Sequence, residues 1–483
     1  MKRNSLTTAV VAGIAGVAGF AGLANAVDLN PDGLGQVLIY PYYTVNKSQD
    51  TLFSVVNTDP VNGKAVKVRF LEGYNSREVL DFNLYLSPND VWTARVSQTA
   101  DDGGGAVFTT DNSCTDPVIP VGGVPFRTAA FDGTGPVPAD EGPQDITRTR
   151  EGYMELISMG DIDPTSALAG LTFHQGGVPP GCGTFGDTVA SAGIVAPTGG
   201  LFGDTDIVNV GEGTLFNYNA DAIDGFSEIP LYSPSSNLNP SLQDANNPSI
   251  AVNGVARAFV FEGGGNLLTA DYANGIDAVS AVFMVDAIYN EYIVQDTLGA
   301  NTDWIVTFPT KRFYVDKDVY PANPTAPFVE PFHSPGESNV VVVPSMYDRE
   351  EQTTVQQGDF SPPVSTQPNS LPFEVNVISF LADTAAGDPS GVLGSFLRPN
   401  IHPFAPYGWM KLDLASGDGG AHQLAGGVTP ADVDVTLIGL PTTGYYAFNV
   451  VNANAQPGPL ANYGGLFRHR ASRSCVGGDP ACS

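Results

Sequence analysis

Positive charge is scarce in this chain. Its 483 residues hold 21 Lys and Arg against 51 Asp and Glu, a formal net charge of −30. Beyond residue 3 the only lysines are Lys47, Lys64, Lys67, Lys311, Lys317 and Lys411. Such a surface repels nucleic acid and anionic lipid, so nucleic-acid binding is excluded as a partner class. It attracts divalent cations, and it equally suits a protein working in salt.

Cysteine is scarce too, with Cys114, Cys182, Cys475 and Cys482 and no C-x-x-C, so the common zinc and redox motifs are missing. There are five histidines, none two or four residues from another. G-x-S-x-G, H-E-x-x-H and the P-loop pattern are absent. A Ser-His-Asp set assembled in space stays open, because triads need no fixed spacing. No apolar run long enough to span a bilayer as a helix follows residue 26. Helical amphipathic patterns stay under about ten residues, short of the usual mean, and no fixed-period repeat is present.

What is present points to export and packed cores. Lys2 and Arg3 precede an apolar stretch from Leu6 to Leu23, and Ala24-Asn25-Ala26 forms an A-x-A site. Residues 1–26 therefore read as a signal peptide. Val27 after the cut, rather than Cys, argues against a lipoprotein. The expected destination is the outer cell surface or the extracellular space, with the periplasm as the alternative. No integral membrane insertion is expected after cleavage. In an oxidising compartment the cysteines should pair. The favoured pairing is Cys475–Cys482, closing a small Gly/Pro loop, with Cys114–Cys182.

Period-two alternation sets the fold class. Val66, Val68 and Phe70 alternate with Lys67 and Arg69, and Leu80, Phe82, Leu84 and Leu86 alternate with Asp81, Asn83 and Tyr85. Turn signals such as Asn62-Gly63 separate these runs. The expectation is an all-β chain of antiparallel, immunoglobulin-like β-sandwich portions with long Gly/Pro-rich loops and few short helices. One sandwich domain is assigned to 27–317, with a loop-rich insertion at about 100–150. Residues 318–335, with five prolines, form a linker or crossing. A second sandwich portion spans 336–475, and 476–483 form a C-terminal loop tail. Val279 to Val294 reads as strand from its β-branched and aromatic content. Phe313 to Val315 reads as extended, and 164–173 as a short helix capped by Asp163.

Few residues suggest chemistry. Asp28, Asn30 and Asp32, followed by Gly33, match the first half of a calcium loop. The closing position holds Ile39 instead of an acid. The favoured reading is a polar lead-in, with Ca2+ as the alternative and no other cofactor expected. Tyr40, Tyr42 and Tyr43 could stack on sugars, or form core. Arg468, His469, Arg470 and Arg473 form a basic cluster that either docks on an acidic partner or folds back on its own chain.

Four stretches resemble an uncharacterised family of exported proteobacterial cell-surface proteins. They are GQVLIYPYYTV (35–45), EVLDFNLYLSPNDVWTA (78–94), NEYIVQDTLGANTDWIVTFPTKRFYV (290–315) and NYGGLFRHR (462–470). The resemblance implies one continuous architecture and carries no activity with it. The expected function is a non-enzymatic, exported structural or interaction protein, meeting a cell-surface component or a second copy of itself. The alternatives are a carbohydrate-active protein, either glycan-binding module or glycosidase, and calcium-dependent adhesion.

Overall fold

The computed structural model describes residues 26–246, 254–261, 266–317, 325–353, 369–380, 388–417, 420–427, 435–452, 461–477 and 482. Residues 1–25 of the expected signal peptide, the 318–324 part of the proline-rich segment and most of the 478–483 tail lie outside them.

Two antiparallel sheets build the first sandwich. The eight-stranded sheet runs in the order Asp28–Leu29, Asp221–Asp224, Val37–Thr44, Glu151–Ile162, Gly63–Glu72, Glu78–Leu86, Cys114–Asp116, with Ile194–Val195 beside Glu151–Ile162. The seven-stranded sheet runs Thr214–Asn219, Asp204–Asn209, Asp50–Asn57, Val91–Gln98, Gly105–Phe108, Val124–Pro125, with Leu201–Phe202 beside Asp50–Asn57. Tyr40, Val68 and Phe70 of the first sheet meet Phe53, Val55 and Trp92 of the second in one core. Burying each such large side chain contributes roughly 1.5–3 kcal/mol.

The two sheets differ in what covers their outer faces. Thr214–Asn219 alternates buried and exposed at every residue, as a sheet with one wet face should. Glu151–Ile162 and Gly63–Glu72 are buried along their whole length. A hairpin of Ala256–Phe261 and Leu267–Tyr272, with the helix Gly275–Phe283, packs over Val37, Ile39 and Ile157. Helices Ala167–Thr172 and Asp187–Gly193 cover Ala65, Tyr85 and Met159 beside the Cys114–Cys182 bond. The sandwich thus carries a further layer on its eight-stranded side.

A five-stranded sheet (Asn369–Leu371, Val340–Asp348, Tyr407–Asp413, Ala287–Ile293, Arg470–Ser472) and a four-stranded sheet (Val375–Ser379, Ala300–Thr307, Thr443–Val450, Tyr463–Arg468) make the second sandwich. Two of these strands precede the proline-rich segment, so sheet pairing does not divide at residue 317. The four-stranded sheet turns Ile305, Val377 and Ala447 into the first core, and Trp304, Val306 and Ile378 into the second. Alternate residues of one sheet therefore serve both cores, which is why no boundary falls there.

Local readings shift for physical reasons. Helix Gly275–Phe283 stands where strand was expected from Val279, and its second half, Ala278 to Phe283, is buried on all sides; strand resumes at Met284–Val285 and Ala287–Ile293. Phe313 to Val315 belongs to a helical turn, Arg312–Val315. Ser166, not Asp163, caps the short helix by accepting from Ala169 N at 3.1 Å, while Asp163 holds the turn before it through Thr165 N. Pro41 does not break its strand. The register on Glu151–Ile162 slips between Gly152 and Met154, opposite Tyr43 and Tyr40, so the missing N–H falls in the irregularity. Gly152 is required there, since a Cβ would lie 1.9 Å from Leu71 O. The 100–150 insertion is part core: Phe131 is fully buried in it and Phe126 nearly so.

Candidate functional site

The two terminal motifs meet in one cleft. A concavity of about 530 Å³ at the seam of the sandwiches is lined by Asn30 and Asp32 on one side and by Asp221, Thr443, Arg468 and Arg473 on the other. Asp28 sits in a strand opposite Asp224, and burial with that neighbouring charge raises its carboxyl to about 6. Asn30 is engaged by its own turn: its Oδ1 accepts from Asp32 N at 2.9 Å and its Nδ2 donates to Leu34 O at 2.7 Å. Gly33, at φ 75°, supplies the left-handed residue of that turn. Asn30 and Gly33 thus shape a turn between Asp28 and the strand Val37–Thr44. Among the described residues no three His, Cys, Asp or Glu side chains gather closely enough to hold a metal ion.

Arg468, His469 and Arg473 of the basic cluster contact their own chain, while Arg470 is exposed. Arg468 pairs with the buried Asp221, whose other oxygen accepts from Thr443. Arg473 Nε donates to Met284 O at 3.0 Å, just past the C-terminal end of helix Gly275–Phe283, where a cation is favoured. His469 is buried beside Trp304; its Nε2 donates to Ile305 O at 3.0 Å and its Nδ1 accepts from Asn290. Burial holds this imidazole neutral, down to about 3. The Cys475–Cys482 bond follows.

A larger charged assembly lies on the covered face of the eight-stranded sheet. Lys67, Arg69 and Glu155 project from neighbouring strands on that face, while Lys64, of opposite parity, sits at the other side of the strand end. Lys64 pairs with Asp161 at 2.6 Å, Lys67 with Asp81 at 2.7 Å and Arg69 with Glu78 at 2.6 Å. Both Glu155 oxygens accept from Arg312 Nη2, at 2.9 and 3.0 Å, and Oε2 also accepts from Arg69 Nη1 at 3.3 Å. Arg148 bridges Glu72 at 2.9 Å and Asp140 at 2.6 Å, pinning the 100–150 insertion. At its far end the assembly reaches Lys311 and Glu374, both fully buried. Lys311 Nζ donates to Ser338 O at 2.6 Å and to Pro372 O and Phe373 O at 3.2 Å. Neither carboxyl oxygen of Glu374 has a hydrogen-bond partner. Burial lowers the Lys311 amine to about 7 and raises the Glu374 carboxyl to about 8.

The alternation at 66–70 places Lys67 and Arg69 on one face of their strand without saying what covers it. The missed signal was complementary charge on facing strands, since Arg69 lies opposite both Asp81 and Glu155 in register. Cross-strand pairs of opposite sign stabilise whether or not water reaches them.

Serine, histidine and aspartate do come together once, but not as a relay. Ser87 Oγ and Asp90 both approach His174 Nδ1, at 2.7 and 3.5 Å, while Nε2 faces Asn112 at 2.9 Å. A triad needs hydroxyl and carboxylate on opposite ring nitrogens. Ser87 also accepts from His174 N, so the group ties a loop to the sheet. Tyr40, Tyr42 and Tyr43 are wholly buried and closed to sugars. An aromatic surface lies elsewhere: Tyr347 and Trp409, opposite each other in register, stack at 4.5 Å and 15°. Trp409 is 40% exposed, and Tyr407 follows on the same face with Arg349 over its ring.

Both cysteine pairs form as the spacing suggested, Cys114–Cys182 and Cys475–Cys482, with Cα separations of 5.2 and 5.0 Å. Among the described residues no helix is long and apolar enough to cross a membrane. No family model matches the chain, and comparisons with curated proteins and with solved structures found no match.

Proposed function

We propose that this chain is an exported, non-enzymatic structural or interaction protein of the outer cell surface or the extracellular space. The observation that carries this reading is that part of the scarce positive charge is held inside the fold. Lys64, Lys67, Arg69, Arg77, Arg148, Lys311 and Arg312 are all buried. With a net charge of −30, the cations that do reach solvent, such as Arg349 and Arg470, are too few to balance the acidic groups, giving an acidic body suited to contact with a cationic partner or to dispersal in salt. The two disulfides favour an oxidising compartment, and the resemblance to exported surface proteins points the same way. Fractionation of cells making the full chain tests it. The expected result is an oxidised protein in the outer envelope or medium, digestible by protease added to intact cells. Recovery from the cytoplasm with reduced thiols would overturn it.

A second reading, glycan binding, is favoured by the Tyr347, Trp409 and Tyr407 surface. Exposed aromatic faces on a rigid sheet stack well on sugar rings. A glycan array should then give hits that Trp409→Ala loses, and an array without hits would retire the idea.

A further inference from the structure

We propose that the cleft beside strand Glu78–Leu86 binds a monoanionic amphiphile, an apolar chain ending in a carboxylate. The cleft measures about 790 Å³, within the roughly 300–1,000 Å³ typical of small-molecule sites. It exists because the next strand, Cys114–Asp116, covers only Asn83 to Tyr85. The outer edge from Glu78 to Phe82 is left to the 117–137 and 235–243 loops, which stand off it as walls.

The walls are apolar. Val79, Val118, Ile119, Val124, Val137 and Leu238 line them. Val118 and Leu238 stay 56% and 51% exposed although they face a concavity. Single apolar residues on a convex surface mean little, but several gathered in a cleft mark a place that gains by being filled. The floor is charged yet closed. Arg69 is matched by Glu78, Arg77 by Asp316 and Arg312 by Glu155. These pairs offer no net field to a ligand.

Arg127 differs. It is exposed at the rim, and its guanidinium makes no hydrogen bond or ion pair with the described residues. Its backbone is fixed, since Arg127 N donates to Val79 O at 2.9 Å. In a chain of net charge −30, one guanidinium above an apolar wall selects one negative charge on an apolar body. A polyanion would find no second cation to meet its further charges, since Arg69, Arg77 and Arg312 are already matched in the floor. The frame is also preformed, because Arg148 and Asp140 hold the insertion that carries the wall. This inference stands independently of where the protein is exported.

Calorimetric titration of the full, disulfide-intact protein tests it, with decanoate as probe and decyltrimethylammonium as the control of opposite charge, both below micelle formation. Decanoate should saturate one site and bind at least about tenfold more tightly than the cation, the size expected of one charge-assisted contact. Arg127→Glu, an exposed change, should remove that preference. Val137→Trp should block uptake, with an unchanged melting temperature showing that the fold survives. Absence of saturable decanoate binding, equal uptake of the cation, or wild-type binding by Arg127→Glu would each overturn the proposal.

Discussion

Replacing Glu374 by glutamine should stabilise the protein at pH 8 and change little at pH 4. The carboxyl is fully buried, has no donor on either oxygen, and is raised from 4.5 to about 8, chiefly by burial. Between pH 4.5 and 8 the unfolded chain has released this proton while the folded chain keeps it. Stability therefore falls as pH rises through that window. Below pH 4.5 both states are protonated and the group contributes nothing. At about 1.4 kcal/mol per pH unit the accumulated penalty approaches about 5 kcal/mol, with about 2 kcal/mol as the lower figure once Lys311 and Arg312 respond. Glutamine keeps the shape and has no proton to lose. Urea unfolding of wild type and Glu374→Gln at pH 4, 6 and 8, with disulfides intact, reads the difference. The variant should draw ahead as pH rises. A variant several kcal/mol less stable than wild type at pH 8 would refute the reasoning, since the carboxylate would then be ionised and anchoring the two cations.

Glu155→Gln should cost about 3–5 kcal/mol at neutral pH, because Arg69 and Arg312 would lose a shared buried counterion; a cost under 1 kcal/mol in the same unfolding assay would contradict the pairing. Breaking Cys114–Cys182, which spans 68 residues, should cost about 4 kcal/mol, and breaking Cys475–Cys482, which spans 7, about 2 kcal/mol. Serine double variants compared by urea midpoint test that order, and the reverse order would count against it. Because Asn30 is engaged by its own turn, calcium should leave both melting temperature and light-scattering mass unchanged. A calcium-dependent rise in either would restore the metal site at Asp28, Asn30 and Asp32 and the adhesive reading with it.

The sandwich was legible because alternation at Val66, Val68 and Phe70 is a local pattern, and it lies where period two places it. The covered face was not legible, because Lys67 and Arg69 read the same whether they meet water or Glu155. Only the third dimension brings Arg312 to the Glu151–Ile162 strand. Helix Gly275–Phe283 was missed because its β-branched residues favour strand, and because burial on all sides from Ala278 to Phe283 leaves no polar face to mark helical period. The 100–150 insertion hid its core residues behind Gly and Pro, whose turns erase periodicity around Phe126 and Phe131. The pairing of the cysteines was legible because a bond across 475–482 leaves the other two only each other. The cleft at Arg127 had no signature at all, since its walls come from three separate segments.

The claim that Lys64, Lys67 and Lys311 are held inside an otherwise acidic body is tested most directly by amine footprinting. The native protein is treated briefly with an acetylating reagent and each lysine is quantified by mass spectrometry, with the unfolded protein as reference. Lys47, Lys317 and Lys411, which reach solvent, should label in the native state. Lys64, Lys67 and Lys311, which are wholly buried, should label only after unfolding. Native labelling of Lys64 or Lys67 at the rate of Lys411 would contradict it.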